Sequence, residues 1–171
     1  MTAIAHPVAA PAGGSVQAVV FALASETFAL PVATVREILE YRPASRVPEG
    51  PDWLLGLLDV RGMAVPLIDL HVRLGFAAAP PSLSSCILVT EVRDADGRSA
   101  TLGLVVDRVM DVVSFAMSEI GETPEIGVRW RVDYLTGFVR RDDGFVALLD
   151  PARLFASEDL AATPPPLRTA A

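Results

Sequence analysis

"WLLGLLDVRGMAVPLIDLHVRL" (residues 53–74) and "YLTGFVRRDDGFVALLDPARLF" (residues 134–155) are two versions of one pattern. Gly56 matches Gly137, Leu67 matches Leu148 and Asp69 matches Asp150, all at one offset. A second pair of blocks precedes them. "FALPVATVREIL" (28–39) resembles "LGLVVDRVMDVV" (102–113), which aligns Val35 with Val109 and Glu37 with Asp111. Only the connector between the blocks differs in length. Such a repeat marks an internal duplication of one β-rich unit, and a period of about 80 residues, too long for a solenoid, predicts two similar small barrels.

Each copy opens with a hairpin. "VQAVVFALASETFALPV" (16–32) places polar "SET" between two apolar runs, and "SCILVTEVRDADGRSATLGLVVD" (85–107) turns at "DADGRS". Asp-Gly in that position supplies the positive φ a tight loop needs. In "PVATVREILEY" (31–41), Val32, Val35, Ile38 and Leu39 have helical spacing, although a strand running into one helical turn fits as well. Within 53–74 the pattern is a hairpin: "LLGLLDV" enters, "RGM" turns and "AVPLIDL" leaves, with Gly62 free to adopt the bend. Pro66 lacks an N–H donor, so its strand is expected at an edge or a bulge. Asp69 is placed to cap the short helix "LHVRLGF", which stops at Gly75, and Asp150-Pro151 repeats the design with proline at the first helical position. The second copy's turn, "RRDDG", reads as longer and more charged. The class is mainly β with minor helix, and two barrels of five or six short strands would remove most exposed edges.

Composition narrows the function. The chain has 171 residues, 51% of them hydrophobic and 6% aromatic, enough to bury a core without staples. One cysteine, Cys86, fits a reducing compartment and permits no internal disulfide. A formal charge of -7 opposes a phosphate backbone as the main partner, and single strands would also need aromatic platforms on a basic groove. Every Lys or Arg position is arginine, which leaves no P-loop or Schiff-base lysine. The two histidines, His6 and His71, cannot build a His-rich metal cluster, and no cofactor motif is present. Asp142-Asp143 sit in an ordinary Asp-Gly turn. No catalytic, metal or cofactor residues are therefore assigned. Without a cationic leader or an apolar run of about 20 residues, the expected location is the cytoplasm.

The combination of motifs resembles the CheW-like family of chemotaxis coupling proteins. It comprises Asp59-Val60-Arg61-Gly62 followed by Pro66-Leu67-Ile68-Asp69-Leu70, then Val35-x-Glu37-Ile38, Gly56, Gly103-x-x-Val106-Asp107-x-Val109, and "YLTG" at 134–137. The family usually carries Asn where Asp59 stands; an aspartate accepts similar turn bonds but adds charge beside Arg61. The match spans residues 16–156, with halves at 16–76 and 84–156 between flexible tails at 1–15 and 157–171.

The resemblance implies two intertwined SH3-like five-stranded barrels with short helices, and no enzymatic activity. It implies a scaffold linking the cytoplasmic tips of chemoreceptors to the regulatory domain of a CheA-type histidine kinase, recruited to membrane-associated arrays without inserting in the membrane or binding nucleic acid. By motif position, Val35 and Glu37 would contact receptor or kinase, and so would the hairpin carrying Arg61 and Gly62, supported by Gly56. Val106 and Val109 would line a groove between the barrels that takes a helical receptor tip, with plain barrel core as the alternative for both. An adaptor of a pilus-motility or surface-sensing pathway, and more distantly a small-ligand-binding double barrel, are the other functions compatible with these residues.

Overall fold

The computed structural model describes residues 14–121 and 134–155. The segments expected to be flexible fall outside these residues, except for Gly14 and for Ser15, which already belongs to the first strand. The strands are β1 (Ser15–Leu23), β2 (Glu26–Pro31), β3 (Val35–Glu40), β4 (Leu54–Val60), β5 (Met63–Asp69), β6 (Cys86–Arg93), β7 (Ser99–Val106), β8 (Arg108–Ala116), β9 (Ile120–Gly121), β10 (Leu135–Arg141) and β11 (Gly144–Leu149). Two single-turn helices, α1 (Leu70–Arg73) and α2 (Pro151–Leu154), follow β5 and β11.

The strands form two sheets, in the orders β3-β6-β7-β5-β4 and β8-β1-β2-β11-β10-β9. Each curls into a small SH3-like barrel, but neither barrel is one sequence half. The β6–β7 hairpin of the second half completes the sheet of the first, and the β1–β2 hairpin of the first half completes the sheet of the second. The duplication survives this exchange residue by residue. Leu67 pairs in parallel with Gly103 in one sheet, and their repeat counterparts Leu148 and Ala29 pair in parallel in the other. The isolated Ser45–Leu57 bridge has its counterpart in the pairing of Gly121 with Phe138. Asp69 N donates to Trp53 O as Asp150 N donates to Tyr134 O, both at 2.8 Å.

Alternation along these strands creates three cores. Leu58, Val65, Leu67, Ile87, Val89 and Val105 fill the first barrel. Ala18, Val20, Ala29, Phe115, Val139 and Val146 fill the second. The opposite faces of the same strands, among them Val19, Phe21, Leu30, Ile68, Leu88, Leu104 and Val106, meet between the barrels. Strands buried on both faces read as near-continuous apolar runs, which explains "AVVFAL" and "LGLVV". Each large aliphatic side chain buried this way stabilises the fold by about 1.5–3 kcal/mol.

Local expectations are met in part. Asp69 caps α1, its side chain accepting the amides of His71 and Val72, and Asp150 caps α2 by accepting from Ala152 N. Segment 31–41 is not helical beyond a 3-10 turn at Val32–Thr34, and that turn precedes the strand instead of ending it. Pairing with β6 fixes Val35–Glu40 as extended, and Ile38 turns outward, 43% exposed. Pro66 is on an inner strand, not an edge. It stands opposite Leu57 on β4, while the parallel ladder with β7 begins only at Leu67, so no ladder partner is lost. The "RRDDG" turn is no longer than its counterpart: two residues, Asp142 and Asp143, separate β10 from β11, as Arg61 and Gly62 separate β4 from β5.

Candidate functional site

The expected contact residues separate into two adjacent places, joined by β3. The first is the exposed end of the β4–β5 hairpin. Arg61 and Gly62 have φ of 53° and 80°. Positive φ at both central residues defines a type I′ turn, whose twist matches the flanking strands. Gly62 takes this conformation freely; a non-glycine residue there costs about 1–2 kcal/mol, which Arg61 bears. Asp59 offsets part of that cost, since its Oδ1 accepts the Gly62 amide at 2.9 Å. The acceptor role expected of an aspartate in this position is thus what the turn uses.

Across the barrel mouth, Arg61 Nη2 donates to Glu37 Oε2 at 2.9 Å. The Arg61 side chain is 82% exposed and that of Glu37 22%. An exposed pair of this kind contributes about 0.2–1 kcal/mol, too little to explain a strained arginine by stability. Its effect is geometric: Glu37 orients a guanidinium whose remaining donors point to solvent. Arg42, which sequence reasoning missed, donates from Nη2 to Asp59 O at 3.1 Å and brings a second cation to the same end. Two acids and two arginines leave the patch nearly neutral.

Gly56 supports this end from below. Its φ is +146°, and a Cβ there would lie 2.1 Å from Ser45 O. The close approach allows Ser45 and Leu57 to exchange two backbone hydrogen bonds, at 2.8 and 2.9 Å, which tie the segment after β3 onto β4 and close the barrel.

The second place is the seam between the barrels. Val35 and Val109 are partly buried there, both packed against the shared core. Val106 is in that core with 0% exposure, so its side chain is structural and lines no surface. The accessible apolar groups are others: Ile38 on β3, and Met110 and Val112 on β8, 43%, 44% and 55% exposed. Ile38 and Val112 are repeat counterparts on the outer strands of the two sheets. Strict strand alternation through "VREILE" and "RVMDVV" would have exposed them, but helical spacing competed in the first segment. The corresponding hairpin end of the second barrel carries Asp142-Asp143, with no arginine at the turn itself.

Among the described residues, no three His, Cys, Asp or Glu side chains gather to hold a metal ion, and no helix is long and apolar enough to cross a membrane.

The arrangement has relatives. The family model described as CheW-like domain matches residues 17–159. The chemotaxis protein CheW of Rhizobium meliloti (strain 1021) is 29% identical over 146 residues, covering 85% of this chain and 91% of that protein. The chemotaxis protein CheW of Klebsiella aerogenes is 30% identical over 142 residues, covering 83% and 82%. The crystal structure of scaffolding protein TtCheW from Thermoanaerobacter tengcongensis superposes with a TM-score of 0.72 at 26% identity, covering 93% of this chain and 96% of that one. The family model alone covers most of the chain, and with these relatives it places the protein in the CheW-like family.

Proposed function

We propose that the protein is a non-enzymatic adaptor that couples chemoreceptors to a CheA-type histidine kinase in bacterial chemotaxis signalling. The observation that carries this reading is the Arg61–Glu37 pair on a strained, tightly braced turn at the open end of a barrel. Strain held at an exposed polar group suits a contact better than it suits stability. Arg61 and Glu37 then face the kinase's regulatory domain, with Gly62 and Gly56 holding the turn. Val35 and Val109, with Ile38, Met110 and Val112 beside them, receive a receptor's helical tip at the seam. Aliphatic walls supply affinity and the charges at the rim fix register, the division of labour of a helix laid in a groove. Recruitment to a membrane-associated array follows from the receptor contact and needs no anchor. The ligand-barrel alternative loses ground because each barrel interior is occupied by its own side chains.

Calorimetric titration with the regulatory domain of a CheA-type kinase from the same cell tests this. Wild type is expected to bind in the micromolar range, and Arg61→Ala to weaken binding by about 2 kcal/mol, roughly 30-fold, with an unchanged melting curve. A folded wild type that binds neither this kinase domain nor any paralogue from that cell would refute the coupling role.

A further inference from the structure

A polar knot at the junction of the barrels is used by neither contact. Its hub is Asp107, between β7 and β8. Its amide donates to Ala22 O at 3.1 Å, its Oδ2 accepts the Ala24 amide at 2.8 Å, and its carbonyl accepts from Ser84 Oγ at 3.1 Å. Into the same carboxylate reaches His71 of α1, whose Nε2 is 3.0 Å from Oδ1 and 3.2 Å from Oδ2. An ionised carboxylate only accepts, so Nε2 carries the hydrogen. The His71 side chain is 5% exposed. Its Nδ1 lies 3.5 Å from Asp69 Oδ1, too far for a good hydrogen bond, and that oxygen already accepts two amides. The ring is therefore held by Asp107.

The duplication supplies an internal control. In the repeat frame Asp107 corresponds to Ala33 and His71 to Ala152, so the second junction closes with neither group. The fold does not require the pair. What the pair does is join three elements: α1 at the end of the first barrel, the Ala24–Ser25 turn of the second, and the root of β8. That turn has φ of 50° and 70° without a glycine, so Asp107 braces a strained bend. Two residues beyond Asp107 stands Val109, at the seam.

We infer that His71 is a positioning residue for the seam. Through Asp107 it fixes the root of β8, and with it the place of Val109 against an apolar helical partner, while leaving the Arg61 end untouched. This rests on the receptor assignment made above for the seam, and it adds a residue outside the contact that sets affinity there.

The full-length protein is compared as wild type, His71→Leu and His71→Gln. Leucine removes the donor, whereas the glutamine amide nitrogen lies as many bonds from the backbone as imidazole Nε2 and restores it. Three quantities are measured: affinity for a synthetic coiled coil carrying a chemoreceptor's cytoplasmic tip, affinity for the kinase regulatory domain, and amide hydrogen exchange at Ala24. For His71→Leu the coiled coil is expected to bind about tenfold more weakly, the scale of losing one hydrogen bond to a charged group, with kinase-domain affinity unchanged. Exchange at Ala24 should rise, and His71→Gln should recover both properties. Equal loss of both affinities, or unchanged exchange at Ala24, overturns the inference. If wild type binds neither partner, the functional reading fails by itself, and Ala24 exchange alone then upholds or overturns the brace. Should His71→Leu not fold, Asp107→Asn, which removes one acceptor oxygen, takes its place under the same criteria.

Discussion

Substituting Gly56 by alanine tests the packing that supports the Arg61 turn. At φ +146° an L-residue is strained by about 1–3 kcal/mol. The added Cβ would also meet Ser45 O at 2.1 Å, Ser45 C at 2.7 Å and Ala44 Cβ at 3.2 Å. Two of these atoms are backbone, so no side-chain rotation relieves the clash, and the segment must move by more than an ångström. That movement breaks the reciprocal Ser45–Leu57 bonds, each contributing about 1 kcal/mol. The total is about 4 kcal/mol, a large share of the 5–15 kcal/mol typical of a domain. At roughly 2–4 °C per kcal/mol for this size, the melting temperature should fall by about 8–16 °C. Gly97→Ala is the control. Its φ is +81° with nothing within 4 Å of the added Cβ, so it carries only a conformational cost of about 1–2 kcal/mol. Urea titration of both variants against wild type measures the difference directly. If Gly56→Ala unfolds at the same midpoint as Gly97→Ala, the close approach is not rigid and the bracing of the turn is refuted.

Two further pairs of substitutions probe the core and the caps. Leu104→Ala, fully buried between the barrels, should cost about 3–4 kcal/mol by urea unfolding, whereas Leu83→Ala, fully exposed, should stay within about 0.5 kcal/mol of wild type. Asp69→Ala should cost about 2 kcal/mol and Asp150→Ala about 1 kcal/mol by the same measurement, because Asp69 is buried and accepts two amides while Asp150 accepts one.

Much of this architecture is written in pairs of residues. Gly56 with Gly137 and Asp69 with Asp150 announced a repeated hairpin and cap, and the structure gives each pair the same local role. Similarity between halves, however, says nothing about which half supplies a strand's neighbour. Hairpin exchange depends on long-range pairing that leaves the apolar pattern of each strand unchanged; here the family resemblance, which implied intertwined barrels, was needed. The site was legible where chemistry is local: Asp59, Arg61 and Gly62 lie within one turn, and Glu37 followed from its motif. For Val106 the structure decides for the core alternative over groove lining, a choice the sequence leaves open because a groove-lining valine and one inside a two-faced strand have the same signature. Arg42 and the exposed trio Ile38, Met110 and Val112 were missed for the opposite reason, since their role depends on how a barrel closes and where its outer strands end.

The exchange of hairpins also bears on how the chain reaches this state. Four pairings, β1 with β8, β2 with β11, β3 with β6 and β5 with β7, join strands from different halves. A nascent chain that has emerged only as far as α1 holds parts of both barrels and can finish neither. Val19 must wait for Val112, an interval on the order of ten seconds at ordinary synthesis rates. Throughout that interval the apolar faces of β1 to β5 lack their partners, and loop-closure entropy must be met before those distant contacts form. Slow and late folding is the kinetic consequence expected of a design in which each barrel borrows its centre from the other.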